Sequence, residues 1–219
     1  EKEPETVAWI DDFSEGSIYY DVGANIGIYS LYASIHKKCK TYAFEPYYKN
    51  YIRLMENIKL NNQIERCFPF LTGLHNSNKI EQLFISDERS SSSGHQIGNN
   101  VDENGLEFKA LEKYPLITFS MDDFIKIFKL KSPNYIKIDV DGCENEIIKG
   151  MSEVLKNSDL NSICIELNMS NFSKVDFINY FKNLGFSTQN RYNALINNSK
   201  FRRQKKGNFD CENIIFTRK

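Results

Sequence analysis

The chain has 219 residues, a formal net charge of -1 and 41% hydrophobic residues. This length suits a single α/β domain with a sizeable core, and the near-zero net charge gives no global basic field for a nucleic acid partner. No apolar run is long enough to span a bilayer. The five cysteines are scattered without a CxxC pair, so we expect reduced thiols, no disulfide frame and a cytoplasmic protein.

The beginning of the chain is expected to be a helical lead-in over residues 1–15, within one domain that covers residues 1–219. Residues 1–5 are charged and do not have the pattern of a secretion signal. The missing initial Met indicates a trimmed chain or a domain excised from a longer protein.

The first motif combines two predicted strands, a glycine turn and an acid. A strand at 17–20 leads into the turn at 21–27 (DVGANIG) and a helix at 28–36, and a second strand at 41–44 ends at Glu45. This order is typical of a nucleoside-binding βαβ unit, in which the acid accepts both ribose hydroxyls. The predicted cofactor contacts are Asp21, Gly23, Asn25, Gly27 and Glu45.

The spacing of the turn narrows the choice of ligand. It has G-x-x-x-G rather than the G-x-G-x-x-G of dinucleotide sites, and Asp21 would repel a pyrophosphate. S-adenosylmethionine has a ribose, an ammonium, a sulfonium and no phosphate, so this pattern favours it over NAD. The alternative is a glycine-rich turn that binds nothing, and the position of Glu45 argues against it.

The remaining elements predict a Rossmann-like α/β fold. The helices are expected at 47–61, 121–130, 145–156 and 173–184, and the strands at 67–71, 81–86, 116–120, 135–140, 161–167, 186–191 and 213–217. Residues 90–104 are rich in Ser, Gly and Asn and predict a long loop, which we interpret as an acceptor-side lid that is mobile in the empty site. The count suits a seven-stranded, mostly parallel sheet with helices on both faces.

A second motif at residues 134–144 (NYIKIDVDGCE) follows the same logic, because it places acids at the end of a buried strand. Together the two motifs resemble the FkbM family of S-adenosylmethionine-dependent methyltransferases. The matching segments are residues 21–27, 44–46, 57–61, 120–124, 136–142, 149–150 and 165–166. The chain departs from the family pattern at Asp141, where Glu is more usual, at residues 145–146 and at the serines of 90–93.

The resemblance covers residues 6–219 and implies a methyltransferase fold with one antiparallel strand, supplied by the last hairpin. It also implies that Ala24, Pro46 and Asp139 belong to the cofactor site. The implied acceptors are hydroxyl groups of carbohydrates or small molecules.

The acids after residue 138 are the candidates for catalysis, since ligands bind beyond the carboxyl ends of parallel strands. Asp139 is expected to face the methyl group or the acceptor, Asp141 to act as base and Glu144 to orient its neighbours. Lys137 lies in an apolar strand and should pair with one of these acids, because an unpaired buried charge is costly.

Two further chemistries stay open at this stage. His95, in the 90–104 loop, could act as a base, although a solvated loop histidine is the more common outcome. Asp139, Asp141 and Glu166 could bind a divalent metal through their oxygens, but we favour no metal and read Glu166 as structural.

A basic run at 200–207 (KFRRQKKG) predicts either a solvated hairpin loop or a clamp for an anionic or nucleotide-linked acceptor. The sequence as a whole favours O-methyl transfer to a carbohydrate or small molecule. The alternatives are an RNA methyltransferase, supported only by this run, and a non-catalytic cofactor-binding domain of a larger glycan-modifying protein. Intact Asp21, Gly23, Gly27, Glu45 and Asp139 argue against the non-catalytic alternative. The oligomeric state has no signature in the sequence.

Overall fold

A computed structural model of the chain describes residues 3–102, 105–168, 173–188 and 211–218. Its helices are α1 (Pro4–Asp11), α2 (Ile28–His36), α3 (Tyr48–Leu60), α4 (Met121–Phe128), α5 (Glu144–Lys149), α6 (Ser152–Lys156) and α7 (Lys174–Asn183). Its strands are β1 (Ile18–Val22), β2 (Lys40–Phe44), β3 (Cys67–Phe70), β4 (Gly73–Leu74), β5 (Lys79–Ile85), β6 (Gln96–Ile97), β7 (Glu112–Phe119), β8 (Tyr135–Ile138), β9 (Ser162–Asn168), β10 (Phe186–Thr188) and β11 (Cys211–Arg218).

The central sheet has seven strands in the order β10-β11-β9-β8-β1-β2-β3. Strand β11 pairs antiparallel with both β9 and β10, and the other pairs are parallel. This topology confirms the predicted Rossmann-like fold and its single antiparallel strand. The carboxyl ends of β1, β2, β8 and β9 therefore meet at one edge of the sheet, which is where the predicted site residues lie.

The predicted helix over residues 145–156 is two helices in the structure, α5 and α6. Gly150 separates them, and a Cβ at this position would lie 2.1 Å from the backbone oxygen of His75. The carboxylate of Asp122 then accepts from the backbone N–H groups of Glu153 (2.9 Å) and Val154 (3.0 Å). Because these donors at the start of α6 have a side-chain acceptor, a new helix begins there without help from α5.

A second sheet of four strands, in the order β4-β7-β5-β6, was not predicted as a sheet. Two of its strands were expected, but both are longer in the structure, and β6 lies inside the predicted 90–104 loop. Strand β6 has only two residues, so it leaves no alternating pattern in the sequence. Strand β5 buries Leu83 and Ile85 on one face and exposes Ile80 on the other.

The N-terminal helix α1 packs on the face of the central sheet that also carries α2. Trp9 donates its indole N–H to Ser162 at 2.7 Å, and the rings of Phe13 and Tyr135 stack with centroids 3.8 Å apart. The predicted helical lead-in is thus anchored to the middle of the sheet. None of the helices in the described residues combines the length and apolar character needed to cross a membrane. Residues 103–104, 189–191 and the basic run at 200–207 lie outside the described residues.

Candidate active site

The glycine turn after β1 is held by backbone bonds to the end of β2. The N–H groups of Gly23 and Ala24 both donate to the carbonyl of Phe44 at 3.0 Å. Gly23 has a φ of +81°, and a Cβ there would lie 1.8 Å from the carbonyl oxygen of Asp139. A side chain is therefore excluded at Gly23 by both backbone conformation and space, and the turn lies directly against the end of β8.

Glu45 connects this turn to the start of α3. Its carboxylate accepts from the backbone N–H of Asn25 at 2.8 Å and from that of Tyr47 at 2.9 Å. Burial raises the pKa of Glu45 to about 7, although both backbone bonds favour the charged form. Pro46, the next residue, accepts a hydrogen bond from the hydroxyl of Tyr114 at 3.3 Å.

Asp21 lies within the sheet rather than in the turn itself. It is buried, and the hydroxyl of Ser30 on α2 donates to it at 2.5 Å. Burial raises its pKa, while the nearby ammonium of Lys137 acts in the opposite direction. Asp21 therefore fixes α2 and balances the charge of Lys137, which lies beside it on β8.

Lys137 and Asp139 form an ion pair at the end of β8, which confirms the expected pairing of the lysine. The Lys137 side chain is almost fully buried, whereas Asp139 retains 25% of its side-chain exposure. The ammonium also lies 5.0 Å from the ring centroid of Tyr29 on α2. Burial disfavours the charged lysine, but the surrounding carboxylates, Asp139 first among them, raise its pKa well above its ordinary value.

Glu166 lies next to Asp139, on the neighbouring strand. The register of β8 and β9 pairs Ile138 with Ile165. Asp139 and Glu166 are the next residues on each side, so the two acids lie next to each other at the ends of neighbouring strands. The charge of Asp139, burial and a hydrogen bond to Asp139 raise the pKa of Glu166 to about 9. The protonated form of Glu166 is therefore favoured beside Asp139.

Asp141 joins the strand end to the loop that follows β5. It has a φ of +56°, and its carboxylate accepts from the N–H of Gly94 at 2.7 Å. Its carbonyl accepts from the side-chain amide of Gln96 at 2.6 Å. The part of the predicted lid near residue 94 is thus bonded to a predicted catalytic residue.

The same loop covers the glycine turn. The carbonyl of Ser92 accepts from the side-chain amides of Asn25 and Asn50, each at 3.1 Å, and the N–H of Ser91 donates to Asn50 at 2.7 Å. We refer to residues 91–94 as the cover segment. That the cover segment opens in the empty site stays a prediction.

The buried Glu144 and the half-buried His95 flank this arrangement. Glu144 begins α5, accepts from the N–H of Gly142 at 3.1 Å and has a pKa raised to about 7 by burial. His95 packs on the ring of Tyr47, with centroids 4.3 Å apart, and its Nε2 lies 3.0 Å from the Ser92 hydroxyl. Burial lowers the pKa of His95 to about 4, so the neutral ring is the form present at neutral pH.

Asp139, Asp141 and Glu166, the alternative metal ligands, do not form a ready cation site. Within the described ranges, no group of three His, Cys, Asp or Glu side chains has the arrangement of a metal site. Asp139 is instead paired with an ammonium and Asp141 with a backbone N–H.

Most of the chain matches the model of a known protein family. The model of the methyltransferase FkbM domain matches residues 21–188, from the glycine turn to the end of β10. The chain belongs to the FkbM methyltransferase family. Helix α1 and strand β11 lie outside the matched part of the FkbM domain.

Among individual relatives of this FkbM-family chain is the hexuronic acid methyltransferase AglP of Haloferax volcanii. The two sequences are 28% identical over 158 residues, which is 72% of this chain and 59% of AglP. The chain therefore spans less than two thirds of the length of that relative.

Solved structures similar to the FkbM-family fold include a precorrin-6y C5,15-methyltransferase from Geobacter metallireducens. It has a TM-score of 0.52 at 12% identity, over 99% of this chain and 87% of that one. An rRNA methylase from Streptococcus thermophilus has a TM-score of 0.55 at 10% identity, over 100% of this chain and 96% of that one. At these identities the likeness establishes the methyltransferase fold alone.

The FkbM-family site contains polar residues that the sequence reasoning missed. Asn50 lies on the buried face of α3 with Leu54 and Ile58, at helical spacing, and bonds the cover segment. A polar residue on an otherwise apolar helix face was a usable signal. Gln96 gave no comparable signal, because its strand is too short to show a pattern.

Proposed function

We propose that the chain is an S-adenosylmethionine-dependent methyltransferase that transfers the methyl group to a hydroxyl of a carbohydrate or another small molecule. The observation that carries the proposal is the convergence of the glycine turn, Glu45 and Asp139 at one edge of the sheet. The hydrogen bond from Asn25 to Glu45 and the close approach of Gly23 to Asp139 support this convergence. The name of the relative AglP supports a carbohydrate acceptor, a hexuronic acid in its case.

The residues at the turn fit a nucleoside cofactor. The side-chain oxygen of Asn25 is buried and has no hydrogen-bond partner among the described residues. It can therefore accept a hydrogen bond from a bound ligand. Each carboxylate oxygen of Glu45 accepts one backbone bond and retains a lone pair for a ribose hydroxyl. The bound cofactor would supply an electrophilic methyl group on a sulfonium.

The acidic residues at the end of β8 favour a methyl donor that carries a positive charge. Asp139 forms an ion pair with Lys137 and retains some exposure at the strand end. We therefore assign to Asp139 the role of orienting the methyl donor and stabilising its positive charge. Because the carboxylate is already in place, it need not reorganise during the reaction.

Removal of the acceptor proton falls to Asp141 in this proposal. It follows Asp139 by two residues beyond the end of β8, and its carboxylate is positioned by the backbone N–H of Gly94. General-base assistance of this kind is worth about 10²–10⁴-fold in rate. Glu144 would orient the turn between Asp141 and α5 through its bond to Gly142.

Mass spectrometry of a sugar and metabolite panel, incubated with isotopically labelled S-adenosylmethionine, tests the proposal. We expect one acceptor class to gain the labelled methyl on oxygen and the Asp139→Asn variant to lose most of this transfer. A folded protein without affinity for S-adenosylhomocysteine would refute the cofactor assignment. Methyl transfer only to nitrogen or carbon would refute the acceptor assignment.

A further inference from the structure

A cleft of about 410 Å³ lies on the second sheet, beside the residues that follow the predicted lid. Its lining combines Phe84 and Asn100 with residues 108–113, which include Lys109, Lys113 and the acidic Glu112. Its volume falls within the range of small-molecule sites. We propose that this cleft binds the acceptor and that its occupant is a sugar unit carrying a carboxylate. The inference rests on the proposed function and adds a place and a charge for the acceptor.

The strand register connects the cleft to the candidate active site. Phe84 on β5 lies opposite Gln96 on one side and Lys113 on the other, in antiparallel pairs. Directly opposed residues of antiparallel strands point to the same face of the sheet. The three side chains therefore form one row, from Lys113 through Phe84 to Gln96.

Gln96 ends this row at the catalytic edge, because its amide donates to the carbonyl of Asp141 at 2.6 Å. Neighbouring strands are about 4.8 Å apart, so Lys113 lies roughly 10 Å from Gln96 across the sheet. An elongated acceptor such as a glycan can span this distance. One sugar unit would then lie in the cleft, and the hydroxyl to be methylated, on a neighbouring unit, would lie near Asp141.

The lining has the chemistry that a sugar ring requires. The half-buried rings of Phe84 and Phe108 offer apolar surface to the C–H groups of the ring. Two hydrogen bonds to Phe108 hold Asn100 in place. The side-chain amide of Asn100 donates to the backbone carbonyl of Phe108 at 2.9 Å, and the backbone carbonyl of Asn100 accepts from the N–H of Phe108 at 2.9 Å. The Asn100 side-chain oxygen can accept a sugar hydroxyl.

The charge of the cleft favours an acidic sugar over a neutral one. Lys109 and Lys113 are both exposed, and neither has a carboxylate partner among the described residues. Glu112, the acidic residue of the lining, is already paired, with its carboxylate 3.5 Å from the ammonium of Lys49. Two uncompensated positive charges therefore flank the aromatic surface, and an anionic unit is the complementary ligand.

The test compares binding of hexuronate-containing oligosaccharides with neutral oligosaccharides of the same linkage. The protein is loaded with S-adenosylhomocysteine, and the variants are Lys113→Gln, the double variant Lys109→Gln/Lys113→Gln and the control Lys126→Gln. Lys126 is an exposed lysine on α4, outside the cleft. Loading with S-adenosylhomocysteine is measured first, because its failure would reject the proposed function and not the cleft.

We expect the wild-type protein to prefer the acidic series. Lys113→Gln should reduce that preference about two- to fivefold, the usual size of one exposed charge contact, and the double variant should reduce it further. Affinity for S-adenosylhomocysteine should not change in either variant. Equal binding of both series, no binding of the acidic series, or equal effects of Lys113→Gln and Lys126→Gln would overturn the proposal.

Discussion

The backbone N–H of Asn25 donates to the carboxylate of Glu45 at 2.8 Å, so the acid after the second strand supports the glycine turn after the first. The second oxygen of Glu45 accepts from Tyr47 at the start of α3. One side chain thus fixes two of the elements that surround the proposed ribose position. Cofactor affinity and local stability are coupled at Glu45, and its variants must be tested for both.

Replacement of Glu45 by Ala should weaken binding of S-adenosylhomocysteine by about 1–3 kcal/mol. It removes an acceptor of hydrogen bonds and leaves two backbone donors without their partner. Calorimetry measures the affinity, and thermal unfolding of the same sample shows whether the turn persists. Unchanged affinity in a folded variant, or tighter binding of NAD than of S-adenosylhomocysteine, would contradict the assignment.

The stability of the protein should fall as the pH rises through about 7, with Glu144 as one cause. Its pKa is raised from 4.5 to about 7, so the folded protein retains a proton that the unfolded chain has lost between these values. The contribution of Glu144 is full below pH 4.5 and is lost as the pH rises through about 7. Melting temperatures from pH 4 to 9 should show a shallower decline in Glu144→Gln than in the wild-type protein. Parallel curves would show that Glu144 is not buried in solution as it is here.

The sequence predicted the central sheet because most of its strands are rich in apolar residues and are followed by turn or helix signals. Strand β8, for example, is buried over its whole length and is apolar except for Lys137. The second sheet was harder to recognise, because β5 and β7 alternate between buried and exposed residues and are interrupted by polar ones. Its pairing also joins segments far apart in the chain, which local patterns do not encode.

The sequence was sufficient to predict those residues of the candidate site that lie at or next to the ends of strands. Glu45 and Asp139 could be placed from the order of elements, and Lys137 from the cost of leaving its charge unpaired. The raised pKa of Glu166 beside Asp139 was not predictable, since it depends on how β8 and β9 align. The contact of Gly94 with Asp141 likewise depends on the path of a long loop, which the sequence does not determine.

Asp139→Asn should leave most of the cofactor affinity intact and lower turnover strongly. The substitution keeps the shape of the side chain but removes the charge that is paired with Lys137 and that we propose faces the donor. The loss of this partially exposed ion-pair partner should also cost about 1–3 kcal/mol of stability. Turnover on an identified acceptor and calorimetry on the same preparation separate the two effects. Asp141→Asn is the companion variant, and near-normal turnover in both would exclude either residue as the base.

The cover segment should exchange its amide hydrogens in a way that depends on Asn50. The N–H of Ser91 donates to Asn50, and the same side chain donates to the carbonyl of Ser92, so Asn50→Ala removes both contacts. We expect faster exchange at residues 91–94 in this variant and slower exchange in the wild-type protein when product cofactor and acceptor bind. Ser187→Ala, on β10 away from the segment, is the control. Full protection of residues 91–94 in the free wild-type protein would rule out a lid that opens.

Glu166→Gln should change how activity depends on alkaline pH more than it changes activity at pH 7. The pKa of Glu166 is raised to about 9, mainly by the charge of Asp139, so its carboxyl is neutral at pH 7 and gains a charge above about pH 9. A second carboxylate beside Asp139 would then repel it and disturb the ion pair with Lys137. The glutamine remains uncharged and can still donate a hydrogen bond to Asp139, so its rate should stay flat where the wild-type rate declines. Rates from pH 6 to 10, with the exposed Glu153→Gln as control, measure this difference. A wild-type decline that persists unchanged in Glu166→Gln would show that another group causes it.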